Sequence, residues 1–442
     1  MRLSRTLIPI FALSLSPSLA HAYGEAVNGF PNWAERVMHA WTNRARVDPQ
    51  VEMQKCGAPC AEAACYMPKD PIPWDEKLNH AARFHSANMQ KMGFFAHNSK
   101  CTLVQNIDAL YPGNCDGAAS CACEGGQPAC NPSCTGFFER VALFGVQPSG
   151  EIIATPSDPN SAFYLWLYEP TANTTCQFTS ENGNRNLLLT GGPSVGFGMV
   201  DYSVGDFGGN GGAYKLPSGS HYPQQADSVE AWTNWHDGAS PSLATVNVDG
   251  TCLPMSLGRG KPENGAYMAN VPNVGSGCHR YYFLFKDQNG QKVSYPETGS
   301  LGIGLAACAD WDASRPSEGM GCDCAPTCNG AQCGDNGCGG TCGTCEGGDI
   351  CQGGMCVPDP GSGSGGNGST SSSSGSGAAG SGGNNGTGGN GNGANGDGDE
   401  EGSCGCRVIG NVSGGQAGWA WSGALTLLPL IRRRRSRNAS SR

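Results

Sequence analysis

Histidines around one helical stretch are the first residues in this sequence that could carry chemistry. His80 and His85 lie inside the stretch 75–93, and His97 follows it in the string Phe94–Ser99. Imidazole can act as a general base, a metal ligand or a hydrogen-bond acceptor near neutral pH. Because a loop after a helix end is a place where a site can form, His97 is the first candidate site residue.

The other two histidines and two carboxylates are weaker candidates. Side chains share a helix face when they are three or four residues apart, whereas His80 and His85 are five apart. We therefore expect His80 at the surface and His85 in the packed interior. Glu151 and Glu169 belong to no catalytic pattern of their own and, taken alone, are predicted to be solvated.

A string typical of serine hydrolases occurs at residues 192–196, Gly-Pro-Ser-Val-Gly. A nucleophile of that kind needs a strand before the string and a helix after it. Here a glycine-rich strand pattern follows instead, so the string predicts a turn. The sequence also lacks His-Glu-x-x-His, the helix motif of zinc proteases. These residues do not predict a well-formed hydrolase.

Capping signals and apolar spacing predict the elements that must position the candidate residues. Asn32 followed by Glu35 is typical of a capping box that begins a helix. Apolar residues at three- and four-residue steps predict a second helix over residues 75–93, with an acidic cap before it and a glycine after it. A third helix is predicted over Asn160–Glu169 and a buried strand over Ser194–Tyr202.

Several short motifs follow one another in a fixed order along the first half of the chain. They are a helix ending in Asn-x-x-Arg, then Pro-x-Trp-Asp-x-x-Leu with Phe-x-x-His-x-Ser, then Gly-Glu-Ile, Trp-x-x-Glu, and Gly-x-Arg-Asn-Leu-Leu before Val-Gly-Phe-Gly. This ordered set resembles the CAP superfamily (cysteine-rich secretory proteins, antigen 5 and pathogenesis-related proteins), whose module is also called the SCP domain. The resemblance extends from Trp33 to Gly208.

The resemblance implies an α-β-α sandwich with a shallow cleft lined by two histidines and two glutamates. His97 matches the first histidine, and Glu151 and Glu169 match the glutamates of Gly-Glu-Ile and Trp-x-x-Glu. Asn184 stands where the family has its second histidine. Since an amide is a poor ligand for a divalent transition metal, His97 with the two carboxylates is the implied set for any metal such as zinc.

Three functions are compatible with the resemblance and the composition. The first is non-enzymatic binding of an extracellular lipid, sterol or surface protein in the cleft. The second is an extracellular hydrolase or peptidase that uses Glu151 or Glu169 as a base beside His97. The third places adhesion in a later β-rich domain and makes the CAP-like module a scaffold. We favour the first because the sequence contains no visible activated nucleophile.

The N-terminus and the cysteines indicate export. Residues 1–22 combine Arg2 and Arg5, an apolar centre and the cleavage string Ala20-His21-Ala22, as in a secretory signal peptide. The 24 cysteines are then predicted to form disulfides, because they leave the reducing cytosol. The net charge of −10 argues against nucleic acid or an anionic membrane surface as the main partner.

Shifts in composition divide the chain into segments. The predicted segments are a CAP-like domain at 30–210 with a cysteine-rich surface insert at 101–134, a small β-sandwich of immunoglobulin-like size at 227–312, a disulfide-rich segment at 322–356, and a disordered, low-complexity Gly/Ser/Asn linker at 357–403. In the sandwich, one plausible bridge joins Cys252 to Cys278. Cys308 would then pair with the disulfide-rich segment.

The C-terminal tail at 404–442 combines three signals. Cys404 and Cys406 precede an apolar run at 417–431 and the arginine cluster 432–435. This order resembles the MYXO-CTERM sorting tag, which implies cleavage near the cysteines and attachment at the outer cell surface through a lipidated Cys404 or Cys406. The alternative is an uncleaved transmembrane helix, although the run is shorter than the about twenty residues that a span needs. Both place the folded part outside the cell, with the tail as its link to the membrane.

Overall fold

A computed structural model describes the chain from residue 31 to residue 358. Within that range the description omits residues 129, 131–133, 171–174, 178–181, 276, 305–307, 324–327, 329, 335–341, 344 and 346–348. The contacts divide the chain into Met1–Asn367 and Gly368–Arg442, and the second unit lies outside the described residues. The predicted signal peptide, the linker from residue 359 onward, Cys404, Cys406 and the apolar run 417–431 also lie outside them.

Capping groups define the two longest helices. The α-helices of the described residues are α1 (Trp33–Val47), α2 (Pro49–Met53), α3 (Glu76–Met92), α4 (Ile107–Leu110), α5 (Ala119–Ala122), α6 (Phe137–Leu143), α7 (Pro159–Leu167) and α8 (Gly183–Thr190). The Asn32 side chain accepts a hydrogen bond from Glu35 N–H at 3.0 Å, and Glu35 Oε2 accepts one from Asn32 N–H at 2.8 Å. Asp75 caps α3, and Gly93 ends it with a φ of 63°. α1 and α3 form as predicted, while α7 ends two residues before the predicted position.

The cysteine-rich insert at 101–134 forms part of the core, although the sequence predicts a surface loop. Its short helices α4 and α5 bury Ile107 against Phe84 of α3 in one apolar cluster. The disulfide between Cys101 and Cys123 closes the insert. Turns separate its apolar residues, so they follow neither a helix nor a strand period, and no periodic pattern in the sequence shows the packing.

A three-stranded antiparallel sheet has helices on both faces. Its strands are β1 (Pro148–Ala154), β2 (Ser194–Met199) and β3 (Ser203–Gly208), in the order β1-β3-β2. α3 packs on the face that contains Gly196 and Gly198, and a Cβ on Gly198 would lie 2.2 Å from Arg83 N. Val195 and Phe197 are buried on the other face, in one apolar cluster with α1 and α7. The sheet therefore lies between helices and supports the loops at its ends.

Two further antiparallel sheets share one core. Their strands are β4 (Gly219–Tyr222), β5 (Ser228–His236), β6 (Leu243–Val248), β7 (Thr251–Pro254), β8 (Ser256–Lys261), β9 (Asn264–Pro272), β10 (Cys278–Lys286), β11 (Lys292–Tyr295), β12 (Ser300–Gly304) and β13 (Trp311–Asp312). One sheet has the order β4-β5-β9-β8, and the other has β13-β12-β10-β6-β7 with β11 also paired to β10. Trp235, Tyr267 and Phe283 are buried between them. The predicted α/β class, in the coarse sense of helices combined with sheets, is confirmed, and the sheets are antiparallel.

Helix α1 packs against these later sheets as well as against the three-stranded sheet. Trp41 of α1 meets Trp232 of β5 edge-on, with ring centroids 6.3 Å apart. The Arg44 guanidinium lies 4.1 Å from the Trp41 centroid and 4.8 Å from the Trp232 centroid. Its Nη2 is also 2.5 Å from Glu52 Oε1. The helical part and the β-rich part are therefore joined by a buried interface.

The predicted bridge between Cys252 and Cys278 is wrong. Cys252 in β7 pairs with Cys322, and Cys278 in β10 pairs with Cys308. Because β6 lies between β7 and β10, two strand spacings of about 4.8 Å each separate the predicted partners. That distance exceeds the roughly 7 Å between Cα atoms that a disulfide can span. One sandwich cysteine does pair with the next segment, but it is Cys252 rather than Cys308.

The predicted disulfide-rich segment has little regular structure of its own. Its described part contains the hairpin of β14 (Ile350–Gln352) and β15 (Met355–Val357), and the bridges Cys328–Cys342, Cys333–Cys351 and Cys345–Cys356. The prediction that disulfides hold this segment is confirmed. Among the described residues, none of the helices has the length and apolar character required to cross a membrane.

Candidate functional site

His97 and Glu151 form the centre of the candidate site. His97 lies in the loop after α3 with its side chain 53% exposed, and Glu151 lies in β1 with its carboxylate buried. His97 Nδ1 is 2.8 Å from Glu151 Oε1. A carboxylate only accepts hydrogen bonds, so Nδ1 carries the proton and donates it. In the neutral ring Nε2 is then the acceptor, and the described contacts give it no partner.

Arg140 of α6 holds both members of this pair. Its Nη2 donates to Glu151 Oε2, and its Nη1 donates to the carbonyl oxygen of His97 at 2.6 Å. Arg140 and Glu151 are both buried. Burial alone would raise the pKa of Glu151, but the positive charge of Arg140 and the hydrogen bond from His97 outweigh it and lower that pKa to about 2. Glu151 is therefore ionised at neutral pH and fixes the orientation of the imidazole.

Asp206 lies beneath this pair on the neighbouring strand. It is directly opposite Glu151 in the register of β1 and β3, and it is fully buried. Burial, followed by the nearby Glu151 charge, raises the pKa of Asp206 well above its ordinary value. Asp206 is thus a neutral acid next to an ionised one, and its proton can be shared with Glu151.

His85 supports the loop that carries His97. It is fully buried, as predicted, and its Nε2–H donates to the carbonyl oxygen of Ala96 at 2.8 Å. Burial lowers the pKa of His85 to about 3, so the ring stays neutral. The His80 side chain is 23% exposed, with Nε2 3.9 Å from Glu76 Oε1, so it is more buried than the predicted surface position. Neither of these histidines contributes to the exposed side of the site.

Glu169 and Asn184 form a second pair at the start of α8. Glu169 Oε1 accepts a hydrogen bond from Asn184 Nδ2 at 2.9 Å, and Oε2 accepts one from Asn184 N–H at 3.0 Å. Arg185, the next residue, is buried and donates to the carbonyl oxygens of Leu167 and Glu169. Burial raises the pKa of Glu169 more than these hydrogen bonds lower it. Asn184 therefore binds a protein carboxylate and holds the first turn of α8.

The four residues of the predicted cleft are arranged as two pairs, and the described contacts do not join one pair to the other. Among the described residues, the group of His, Cys, Asp and Glu side chains close enough to share an ion is Cys333, Cys345 and Cys356, all in disulfides. Both oxygens of Glu151 and of Glu169 are hydrogen-bonded, which leaves Nε2 of His97 as the open ligand atom. This arrangement does not fit a zinc ion, which takes at least three protein ligands.

Aromatic side chains lie close to His97 along the chain. Phe95 is 45% exposed, and its ring centroid is 5.5 Å from that of Tyr202. On α6, Phe138 is 54% exposed and contacts Phe137 with centroids 4.2 Å apart. An exposed imidazole with exposed aromatic side chains nearby can offer one hydrogen-bond acceptor and apolar surface to the same ligand.

Sequence reasoning missed Arg140 and Asp206. Arg140 lies in α6, a helix of seven residues that is too short to give a clear period. Asp206 offered a signal that could have been used, because it is the one charged residue in the strand Ser203–Gly208. A charge in a strand of small and apolar residues indicates a buried partner. Ser194 behaves as predicted: it begins β2, and its hydroxyl accepts a hydrogen bond from Gly211 N–H at 3.0 Å.

The geometry thus consists of a half-exposed histidine on a buried ionised carboxylate, with a buried arginine and a neutral acid behind it. Exposed Phe95 precedes His97 by two residues in the same loop, exposed Phe138 lies in α6 with Arg140, and the Glu169–Asn184 pair is separate. In comparisons of the chain with protein-family models and with curated proteins, nothing matches.

Proposed function

We propose that this protein is an extracellular, surface-tethered member of the CAP superfamily whose first module binds a ligand at His97 without reaction. The ordered motifs between Trp33 and Gly208 support the family, and a three-stranded sheet with helices on both faces suits an α-β-α sandwich. The many disulfides are consistent with export. The tail with its cysteines and arginines is the proposed tether.

The observation that carries this proposal is the state of His97. Its Nδ1 is held by Glu151, and its Nε2 is left as an acceptor on a half-exposed ring. The described contacts join no hydroxyl or thiol to His97, so the ring has no nucleophile to activate. With exposed Phe95 two residues away, the site suits an amphiphile that donates a hydroxyl to Nε2 and lays an apolar body on the aromatic ring. Among lipids, sterols and surface proteins, a sterol has this chemistry.

Calorimetric titration of the full secreted chain with cholesterol, delivered from cyclodextrin, tests the proposal. Loss of one hydrogen bond of about 1 kcal/mol should weaken binding roughly fivefold in His97→Ala. His80→Ala is the matched control, because His80 is a partly exposed histidine of α3 outside the site. An unchanged affinity in His97→Ala, or an equal loss in the control, would contradict the proposal. A parallel titration with phospholipid vesicles separates sterol from general lipid binding.

A hydrolase is the second candidate, and the ionisation of Glu151 favours it. A buried carboxylate that accepts from Nδ1–H fixes the orientation of the ring, and an imidazole oriented in this way can activate a water molecule through Nε2. We would test it by incubating the chain with a peptide library, alongside His97→Ala and Glu151→Ala. Turnover by the natural chain that disappears in both variants would replace the binding proposal. Equal turnover in all three would assign the cleavage to a contaminant.

A further inference from the structure

A second cleft, which shares no residue with the His97 site, lies beside the end of α1. Its volume is about 640 Å³. The proline-rich segment 68–73 forms one wall, and Pro193 with the glycines Gly211 and Gly212 completes the lining. The remaining lining residue is Arg46, in the last turn of α1. This cleft places a cationic side chain among rigid proline rings.

Arg46 differs from the other buried arginines in its partners. The described residues include four further buried arginines, and each has a carboxylate in an ion pair: Arg36 with Asp310, Arg44 with Glu52, Arg140 with Glu151 and Arg185 with Glu62. Arg46 is only 7% exposed, yet no described carboxylate forms an ion pair with it. A charge removed from water without a counter-charge is costly, so an anion at this position would stabilise it.

Main-chain carbonyl oxygens hold the Arg46 guanidinium. Nε donates to the carbonyl oxygen of Asp70 at 3.2 Å, and Nη1 donates to those of Gly191 at 2.9 Å and Leu188 at 3.4 Å. The described residues give Nη2 no hydrogen bond, so its two N–H groups remain available to a ligand. Burial lowers the pKa of Arg46 to about 10 more than the Asp70 charge raises it, in keeping with incomplete compensation. The guanidinium remains cationic at neutral pH.

The segment that walls the cleft also fixes Arg46 in place. Lys69 N–H donates to the carbonyl oxygen of Arg46 at 2.8 Å, and Arg46 Nε in turn donates to the carbonyl oxygen of Asp70. The Lys69 side chain is exposed at the cleft. The Asp70 carboxylate accepts a hydrogen bond from Asn264 Nδ2 at 3.1 Å and lies 3.8 Å from His236 Nδ1. Asp70, which carries the one carboxylate of the cleft lining, therefore contacts residues of the β-rich part.

We propose that this cleft binds an oxyanion, either a carboxylate or a phosphate group, with Arg46 as the buried donor and Lys69 as the exposed counter-charge. The Nη2 group offers two N–H donors to the oxygens of either group, and its orientation here is already fixed by the carbonyl contacts of Nε and Nη1. The proline rings restrict the movement of the wall, which reduces the ordering cost of binding. This site is independent of the proposed function at His97.

Titration of the full secreted chain with inorganic phosphate and, separately, with acetate tests the site and distinguishes the two oxyanions. Isothermal calorimetry at pH 7 and low ionic strength should show saturable binding of at least one of them. Reversing the charge in Lys69→Glu should weaken that binding roughly tenfold, because it places a carboxylate beside the ligand. Lys77→Glu is the matched control, since Lys77 is exposed and outside the cleft.

The Arg46 variants decide the role of the buried donor. Arg46→Gln should abolish the binding, and Arg46→Lys should weaken it because an ammonium group cannot keep the carbonyl contacts that orient the Nη2 donor. If Arg46→Gln fails to fold, the comparison of Lys69→Glu with Lys77→Glu still decides the result. The proposal is overturned if neither anion binds saturably, if both lysine variants lose the same affinity, or if a folded Arg46→Gln chain binds as well as the natural one.

Discussion

At the residue scale, the environment of Glu151 keeps one acid ionised and its neighbour neutral. Two carboxyl groups on facing strands cannot both be charged in a buried position without a large penalty. Arg140 and His97 provide the partners for the Glu151 charge, whereas no cation of the described residues forms a hydrogen bond with Asp206. The proton therefore stays with Asp206. The orientation of His97 depends in this way on a residue that does not contact it.

We expect Asp206→Asn and Glu151→Gln to have opposite consequences. An amide can replace a neutral acid that donates to Glu151, so Asp206→Asn should cost no more than about 1 kcal/mol in the free energy of unfolding. Glu151→Gln leaves Arg140 buried without a carboxylate and should cost about 3–5 kcal/mol. Urea unfolding of both variants beside the natural chain measures the difference.

The pH dependence provides the control for this pair of variants. The pKa of Asp206 is raised in the folded state above its ordinary value of 3.8. The stability that this group contributes is thus fully present below pH 3.8 and is lost as the pH rises through the folded pKa. The free energy of unfolding of Asp206→Asn should therefore rise relative to that of the natural chain as the pH increases from 5 to 8. If Asp206→Asn lowers the free energy of unfolding by the same amount at pH 5 and at pH 8, the result would contradict a neutral Asp206.

At the element scale, the site depends on how closely α3 approaches the three-stranded sheet. His97 follows α3, and Glu151 lies in β1, so their 2.8 Å contact requires the helix and the sheet to be held in register. Gly198 allows that approach, because a Cβ there would lie 2.2 Å from Arg83 N and 2.5 Å from the carbonyl oxygen of Ala82. Main-chain atoms of a helix cannot shift separately to make room.

Gly198→Ala should therefore destabilise the protein by at least about 1–3 kcal/mol, the usual cost of overpacking. It should also weaken ligand binding at His97, because α3 must move outward. Gly113→Ala is the control, since a Cβ at Gly113 meets no atom within 4 Å and its φ is not in the left-handed region. Thermal unfolding of both variants compares them. Equal unfolding temperatures would show that α3 and the sheet separate at little cost.

Local signals in the sequence predict these elements better than they predict the contacts between them. The capping groups of α1 and α3 lie within a few residues of the helices that they begin, so the sequence displays them. α6 and α8 are short and are held by tertiary bonds, from Arg140 to Glu151 and from Asn184 to Glu169. Such bonds join distant positions and have no local pattern. The predicted bridge between Cys252 and Cys278 was wrong for the same reason, because cysteine pairing depends on the order of the strands in the sheet.

At the scale of the whole folded region, the helical and β-rich parts act as one structure around α1. Trp33 Nε1 donates to the carbonyl oxygen of His221 at 2.9 Å, and Arg36 pairs with Asp310 at 2.6 Å. Both partners belong to the β-rich part. Deleting that part would expose the apolar face of α1, so adhesion by the β-rich part cannot be tested by simple truncation. Single substitutions in the folded chain are the suitable test.

Two buried histidines, His39 in α1 and His221 in β4, make the folded chain sensitive to acid. His39 donates from Nε2 to the carbonyl oxygen of Ile72 at 2.7 Å, and His221 Nδ1 accepts from the Tyr281 hydroxyl at 2.9 Å. Burial lowers the pKa of each histidine from 6.5 to about 4. Between these values the unfolded chain binds more protons than the folded one, so stability is present at pH 7 and falls as the pH drops.

We therefore expect the free energy of unfolding to fall by about 2 kcal/mol for each of these histidines between pH 6.5 and pH 5. His221→Gln should remove the share that belongs to His221, about 2 kcal/mol, because an amide cannot be protonated in this range. His236→Gln, a change at a histidine whose side chain is 36% exposed, is the matched control. Urea unfolding at pH 7, 6 and 5 gives the slopes. A slope in His221→Gln equal to that of the natural chain would show that His221 is not held neutral.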